Sequence, residues 1–248
     1  MLSSLTVSDD ARRQPPPLPS LPPVDPANAH LGADISADAF AGFLTDGDAE
    51  VATWALRRAL ARRSRAEVYD TFVRDAMRLV GERWLAGRWT ISDEHLASRT
   101  LLRVLTSVAP AMRPQDRLGV PAVLASVEGE DHSIGLVALS QVLTEAGFEV
   151  ADLGPDVPTD DLVRYVARHG ARLVAVAAMT DDRIGVVRDV VAALRAVPTP
   201  PVVIVGGRIA DVADLAPLGA DWTGSSLVEV ARFADGLARR LAAEGSGR

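Results

Sequence analysis

The chain has 248 residues, 48% of them hydrophobic, which is enough to bury one large core or two small ones. The formal net charge of −7 argues against a general nucleic-acid-binding protein. The absence of cysteine excludes disulfides, thiolate metal sites, cysteine nucleophiles and chromophores attached through thioether bonds.

The same features predict a cytoplasmic protein without a membrane-bound part. A chain without cysteine suits a reducing compartment. No apolar run approaches the ~20 residues that a membrane-spanning helix needs. The N-terminus also lacks the basic region and apolar segment of a signal peptide.

The first 33 residues are predicted to form a disordered, proline-rich tail. Proline dominates the segment Pro15–Pro23, and it can neither continue a helix nor pair in a central strand. The segment should favour extended polyproline conformations, either as a spacer or as a docking segment for a partner. His30 lies in this tail and is expected to be solvated.

Residues 34–112 have the pattern of helices joined by short connections, which predicts a four-helix bundle. Ser36, Asp48 and Ser64 are the predicted N-caps of the first three helices, and Glu67 completes a capping box with Ser64. The predicted helices cover about 37–44, 48–62 and 64–87, and a fourth has residue 93 in its first turn and ends before 114.

The last two helices each have an apolar stripe that we expect to face the bundle core. In the third helix the stripe consists of Val68, Phe72, Met77, Val80 and Trp84. In the fourth it consists of Leu96, Leu101, Leu102, Leu105 and Val108.

The polar segment Arg113–Gly119 is predicted to link the bundle to a second domain over residues 120–248. There, strand-like apolar runs alternate with helical patterns, which predicts a parallel sheet with helices on both faces. Five strands over this length are typical of a flavodoxin-like doubly wound domain, so the chain is predicted to be a two-domain α/β protein. The predicted strands are 122–127, 148–153, 173–178, 202–205 and 220–222. The predicted helices are 133–146, 159–169, 183–196, 211–215 and 227–243.

The segment Val127–Gly135 connects the first predicted strand to the helix that follows it. In a doubly wound sheet such loops lie at the carboxyl ends of the strands, where ligands bind. An imidazole there, on His132, is well placed to ligate a metal that arrives with its own macrocycle. The alternative for a single histidine is an exposed loop residue.

Two further loops are expected at the same edge of the sheet. Ala177-Ala178-Met179-Thr180 follows the third strand, and Gly206-Gly207-Arg208 follows the fourth. Adjacent glycines allow a bulky ligand to approach the backbone closely, although they are also common in tight turns.

Together these loops resemble the cobalamin-binding domain of methionine synthase, methylmalonyl-coenzyme A mutase and corrinoid carrier proteins. The first motif of that family is Asp-x-His-x-x-Gly, in which the histidine ligates cobalt from below, and here Glu130 replaces the aspartate. The second motif, Ser-x-Leu, is replaced by Ala177 and Met179, so one hydroxyl contact to the nucleotide tail is missing. The glycine pair matches fully. The resemblance assigns cofactor contacts to Glu130, Asp131, His132, Ser133, Ile134, Gly135, Ala177, Met179, Thr180, Gly206, Gly207 and Arg208.

The bundle contains a second motif. Trp84 is followed after nine residues by Glu94 and His95, a spacing that resembles the cap of CarH-type light-sensing proteins. The resemblance implies that Trp84 lies against the adenosyl group of adenosylcobalamin. It also implies that His95 binds cobalt from above after light has broken the cobalt–carbon bond. The alternatives are a core tryptophan and a polar helix start.

The two resemblances predict a cobalamin-dependent light-sensing regulatory protein that is not an enzyme. The cap is expected to move about the linker and to signal through self-assembly or a regulatory protein partner. No MerR-like helix-turn-helix precedes the bundle, so we expect no direct DNA binding. A bilin, as in photocobilins, would be noncovalent here because cysteine is absent.

Two alternatives remain open. The first alternative to light sensing is a corrinoid carrier subunit of a methyltransferase system, which must open its upper face to a partner. The second is a cobalamin sensor that does not respond to light.

Overall fold

The computed structural model describes residues 35–110 and 117–246. The predicted tail over residues 1–33, including His30, lies outside these residues, as does most of the predicted linker. Among the helices of the described part, none has the length and apolar character needed to cross a membrane.

The predicted four-helix bundle is confirmed. Its helices are α1 (Ala37–Thr45), α2 (Ala49–Leu60), a long third helix and α5 (Ile91–Ser107). The third helix consists of α3 (Arg65–Val68), a π-helical turn (Tyr69–Val73) and α4 (Arg74–Leu85).

The helix starts follow the predicted capping chemistry. The side chains of Ser36 and Asp48 accept hydrogen bonds at the starts of α1 and α2, and Ser64 and Glu67 form the expected capping box. Thr90, which the sequence did not single out, caps α5 in a second capping box. These side chains satisfy backbone N–H groups that have no partner within the helix.

The apolar stripes fill the bundle core, with two exceptions. Phe40 stacks on Phe72 with ring centroids 4.6 Å apart, and Leu101 and Leu105 are fully buried. Trp84 and Leu96, however, are each 41% exposed. Both have the helical spacing of core residues, but each lies close to a helix end, and so the prediction that they face the core is wrong.

The second part is the predicted flavodoxin-like domain. Five parallel strands pair in the order β2-β1-β3-β4-β5, which is one of the two common doubly wound orders. The strands are β1 (Val120–Ser126), β2 (Phe148–Asp152), β3 (Leu173–Ala177), β4 (Val202–Gly206) and β5 (Trp222–Thr223). The helices are α6 (Ile134–Glu145), α7 (Thr159–His169), α8 (Ile184–Arg195), α9 (Ile209–Val212) and α10 (Leu227–Ser246).

Each face of the sheet has its own apolar core. Helices α7 and α8 pack on one face, with Leu162, Val190 and Leu194 among the buried residues. Helices α6 and α10 cover the other face, where Leu136 and Leu237 are buried. Burial on both faces explains why the strands read as continuous apolar runs.

One predicted helix differs from the structure. Residues 211–215 were expected to form a helix, but α9 ends at Val212 and Ala213 is extended. A 3-10 turn, Ala216–Leu218, follows. After the break, the Asp214 carboxylate accepts a hydrogen bond from the Ala216 N–H at 3.1 Å, a local bond that favours a turn over continuation of the helix.

The bundle packs directly on α6 of the sheet domain. Ala138 belongs to the buried core of the bundle, and Ile134, Val137 and Leu227 pack against that core. The apolar core of the bundle therefore extends onto α6 of the sheet domain.

A buried polar network reinforces this junction. The side-chain oxygen of Gln141 accepts hydrogen bonds from the Tyr69 hydroxyl at 2.6 Å and from Arg65 at 2.9 Å. Its side-chain nitrogen donates to the Leu105 carbonyl at 2.8 Å. Burial raises the pKa of Tyr69 against the opposing effect of Arg65, so the phenol keeps the proton that it donates. Arg65 also pairs with Glu145 at 2.7 Å.

We predict that Gln141→Leu lowers the free energy of unfolding by about 1–3 kcal/mol, because the buried Tyr69 hydroxyl loses the acceptor of its proton and the Leu105 carbonyl loses one of its donors. Urea unfolding measures the change. Ser140→Ala is the control, since the Ser140 hydroxyl bonds only within its own helix, to the Val137 carbonyl. Equal stability of Gln141→Leu and the wild type would contradict the role of the network.

Candidate functional site

The loop after β1 is held in place by hydrogen bonds at several points. The buried hydroxyl of Ser126 donates to the His132 carbonyl at 2.8 Å. The Gly129 N–H donates to the Asp156 carboxylate at 2.7 Å, and the Asp156 N–H donates to the Glu130 carbonyl at 3.0 Å. Asp156 has a φ of 54°, a strained conformation that persists only where the surroundings enforce it. The loop is therefore a fixed platform.

Glu130 is the centre of this platform. Only 5% of the residue is exposed. One carboxylate oxygen accepts from the His132 ring Nδ1 at 2.5 Å and from the His132 N–H at 3.1 Å. The other accepts from the Met179 N–H at 2.8 Å. Burial alone would raise the pKa of Glu130, but the bonds from His132 and Met179 outweigh it and hold the pKa below its usual value.

The contact with Glu130 sets the chemistry of His132. A carboxylate only accepts hydrogen bonds, so in the neutral imidazole the proton lies on Nδ1 and the lone pair lies on Nε2. The His132 side chain is 69% exposed, which leaves Nε2 accessible. An imidazole anchored on a carboxylate in this way is the usual arrangement of a metal-bound histidine. The extra methylene of Glu130, relative to aspartate, is accommodated.

The three loops predicted to share one edge of the sheet are in contact. Glu130 bonds to the backbone of Met179, and the Ala178 N–H donates to the Gly206 carbonyl at 3.2 Å. A Cβ on Gly207, where φ is +91°, would stand 2.3 Å from the Ala178 carbonyl oxygen. Only glycine fits there, which links the glycine pair to the loop after β3.

The other predicted contact residues surround this edge. Ala177 is the last residue of β3, and the Thr180 hydroxyl donates to Asp182. Asp131 and Arg208 are exposed, and Ser133 and Ile134 are partly buried. Ala177, at the serine position of the second motif, offers no hydroxyl, and Met179, at the leucine position, donates its backbone N–H to Glu130.

Gly135 is an exposed glycine in the first turn of α6. A Cβ on it would meet no other atom within 4 Å. An exposed glycine within a helix costs roughly 1 kcal/mol relative to alanine. Because Gly135 has no side chain and lies three residues after His132, it leaves open space at the start of α6, next to the His132 loop.

The cap residues form an exposed face around the turn between α4 and α5. His95 is exposed over 68% of its side chain and Glu94 over 27%, and the Glu94 carboxylate accepts from the Ser98 hydroxyl at 2.7 Å. The exposed large apolar residues of α4 and α5 are Trp84, Leu85, Ile91 and Leu96.

Hydrogen bonds join the later residues of α5 and α6. Gln141 bonds to Leu105, and Arg65 bonds to both Glu145 and the Val108 carbonyl. The helix that carries His95 is thus attached to the helix that follows the His132 loop.

Several residues of the platform were not predicted from the sequence. Ser126 and Asp156 have no motif of their own, and they act through hydrogen bonds to the loop backbone. The guanidinium of Arg183 lies over Gly129, where a Cβ would stand 2.7 Å from its Nη1. Within the described ranges, no three His, Asp or Glu side chains form a metal cage, so a single imidazole is the donor that this edge offers.

Comparison with known proteins matches both parts of the chain. Residues 37–108 and residues 120–230 each match a family model described as a B12 binding domain. Dimethylamine corrinoid protein 2 of Methanosarcina mazei is 30% identical over 161 residues, which are 63% of this chain and 75% of that protein. The HTH-type transcriptional repressor CarH of Myxococcus xanthus is 38% identical over 88 residues, 35% of this chain and 28% of the repressor.

The fold also matches a solved structure. The monomethylamine corrinoid protein of Methanosarcina barkeri aligns with a TM-score of 0.66 at 22% identity, covering 81% of this chain and 97% of that one. The 30% identity to the Methanosarcina mazei corrinoid protein over 75% of its length, with the two B12 binding domain matches, shows that the chain belongs to the family of cobalamin-binding corrinoid proteins.

Proposed function

We propose that the chain is a corrinoid carrier protein, which holds cobalamin on His132 and presents its upper face to a partner enzyme. The observation that carries this proposal is the Glu130–His132 pair at the carboxyl edge of the sheet, with Nε2 accessible. The residues fit the cofactor: a single imidazole donor, a close-packed glycine pair and the open surroundings of Gly135 share this edge. When bound, cobalamin supplies a cobalt centre that carries an alkyl group.

In this proposal His132 would hold the cobalt of cobalamin through Nε2, and Glu130 would orient its ring. The carboxylate makes Nε2 a stronger donor and fixes the plane of the ring. Because Glu130 is itself held by the Met179 N–H, the ring cannot turn without breaking a bond to the neighbouring loop. The platform thus pre-organises the ligand before the cofactor arrives.

Methyl carriage is the function that the relatives favour. The matched proteins that this chain covers over most of their length are named as corrinoid proteins of dimethylamine and monomethylamine. A carrier of this kind does not catalyse the transfer itself. The exposed cap face around Trp84 and Leu96 is then the surface that a methyltransferase partner meets.

Light sensing is the second candidate, and the cap residues favour it. The ring of Trp84 would cover an adenosyl group, and His95 would offer its exposed imidazole to the upper side of the metal. The 38% identity to the CarH repressor supports this function over a shorter span. A light-independent cobalamin sensor would bind the cofactor through the same His132 loop. Neither candidate requires a bilin.

We predict that His132→Ala weakens cobalamin binding by at least the ~10- to 100-fold typical of lost outer-shell partners, and that Glu130→Gln falls within that range. Binding is measured by titration with aquocobalamin, which also shows whether nitrogen from the protein binds cobalt. His169→Ala is the control, since that ring stacks on Tyr165 at the end of α7. Unchanged affinity and spectrum of His132→Ala would disprove the ligand assignment.

We predict that Gly135→Ala leaves the stability of the cofactor-free protein unchanged or slightly higher, because alanine favours a helix and the Cβ meets no neighbour. The same variant should bind cobalamin more weakly, because the methyl group enters the space beside His132. Gly236→Ala, also in a helix with no neighbour within 4 Å, should change neither property by comparison. Normal cobalamin binding by Gly135→Ala would show that this space is not used.

One experiment separates carriage from light sensing. The affinities for methylcobalamin and adenosylcobalamin are compared in the wild type, in Trp84→Ala and in the control Trp54→Ala, whose tryptophan is similarly exposed at 43%. A sensor should prefer adenosylcobalamin, and Trp84→Ala should reduce that preference by about 10-fold or more, since a buried aromatic contributes some 1.5–3 kcal/mol. A carrier should show the same ratio in all three proteins.

Green light on the adenosylcobalamin complex provides the second measurement. A sensor should change its elution volume after illumination, and His95→Ala should lack the bis-imidazole spectrum that the wild type then acquires. A carrier should show the same assembly before and after light. A light-induced change in assembly would overturn the carrier proposal in favour of the second candidate.

A further inference from the structure

Asp70 makes an unusual contact between the two parts of the molecule. It lies in the π-helical turn of the bundle, and its side chain is only 10% exposed. One carboxylate oxygen accepts from the Leu227 N–H at 2.8 Å. The other accepts from the Ser226 hydroxyl at 2.7 Å and from the Val228 N–H at 2.9 Å. A side chain of the helical bundle thus satisfies the first N–H groups of α10 in the sheet domain.

These bonds complete the amino end of α10. The first N–H groups of any helix lack partners within it, and a residue of the same chain segment normally satisfies them. Here the Ser226 hydroxyl accepts from the Glu229 N–H, at 3.2 Å, while the two preceding N–H groups bond to Asp70. Charge-assisted bonds at a helix amino end are among the stronger hydrogen bonds in proteins.

The loop that Asp70 holds borders the glycine pair. Residues 224–226 follow β5, which pairs with β4, so they reach the same edge of the sheet as Gly206. A Cβ on Gly206 would stand 3.2 Å from the Gly224 carbonyl oxygen. The ring of Trp222 lies close to Gly224, because a Cβ on Gly224 would stand 2.7 Å from that ring.

Two more bonds leave this loop little freedom. The Ser225 hydroxyl bonds to the Asp211 carboxylate at 2.6 Å. Arg74 donates to the Ser225 carbonyl and pairs with Asp70 at 2.6 Å. The loop is therefore held by α9 on one side and by the cap on the other.

We propose that Asp70 is a positioning residue through which the helical cap shapes the glycine-pair side of the cobalamin site. The proposal rests on the cobalamin binding proposed above. By linkage, if the cap stabilises the loop that borders the cofactor, then cobalamin binding must also stabilise the cap at Asp70.

Asp70→Asn tests the proposal, because it keeps the size of the side chain and removes the charge and one acceptor. Hydrogen exchange of the cofactor-free protein should accelerate at Leu227 and Val228, on the order of 10-fold or more. Asp75→Asn is the matched control, since Asp75 lies on α4 and pairs with the exposed Arg78 within the same helix. Cobalamin affinity should fall roughly 3- to 30-fold in Asp70→Asn and stay unchanged in Asp75→Asn.

The decisive readout is reciprocal protection. Cobalamin should slow hydrogen exchange of residues 69–73 in the wild type and in Asp75→Asn, and this protection should be lost in Asp70→Asn. If Asp70→Asn does not fold, Ser226→Ala removes one bond to the same carboxylate and should shift all three measurements in the same direction by a smaller factor.

The outcomes separate this proposal from the function on which it rests. A wild type that does not bind cobalamin overturns both. A wild type that binds cobalamin without protecting residues 69–73 overturns the coupling alone. Equal affinity and equal exchange rates for Asp70→Asn and the wild type overturn it as well.

Discussion

The buried carboxylate of Glu130 is the constraint on which the functional edge depends. A charged group with 5% exposure is tolerated only if hydrogen bonds replace the water that it has lost. Two of its donors come from His132 and one from Met179, in a different loop. Satisfying this one charge therefore orients the imidazole and also joins the loops after β1 and β3. The contact of Ala178 with Gly206 extends the connection to the third loop. The ligand position is thus built into the hydrogen bonding of the cofactor-free protein.

The junction between the bundle and the sheet domain limits how the cap can respond to a ligand. Movement of the whole cap about residues 113–119 would have to separate Ala138 from the bundle core and break the buried bonds among Tyr69, Gln141 and Arg65. Breaking such bonds without replacement costs about 1–3 kcal/mol for each group left unsatisfied. A smaller rearrangement within the bundle costs less. The π-helical turn is suited to this, because such turns are local irregularities that often occur at functional sites.

The sequence predicted most of what depends on local chemistry and periodicity. The caps at Ser36 and Ser64, the four helices and the parallel sheet follow from patterns within short segments. The placement of His132 at the carboxyl edge of the sheet follows from its position directly after a predicted parallel strand. Contacts made by the backbone could not be predicted, because every residue has an N–H and nothing in the sequence marks the one of Met179 that Glu130 uses. The exposure of Leu96 was missed because periodicity places a residue on a face of a helix without saying whether another element covers that face there. The capping by Asp70 was missed for a related reason: it joins segments more than 150 residues apart.

The arrangement of the cap connects the two sides of the proposed cobalamin site. Asp70 and Trp84 lie on one continuous helix, and 14 residues at a rise of 1.5 Å place them about 21 Å apart along its axis. One end of this helix holds the loop beside the glycine pair, and the other end carries the exposed tryptophan. Between the π-helical turn and Trp84 the chain is a regular α-helix, so a displacement at Trp84 would be carried toward the turn. A change in what occupies the upper face would therefore reach the glycine-pair side through the cap, as well as through the metal and His132. In the proposed carrier and in the proposed sensor alike, this second route would couple the occupant of the upper face to the loop that Asp70 holds.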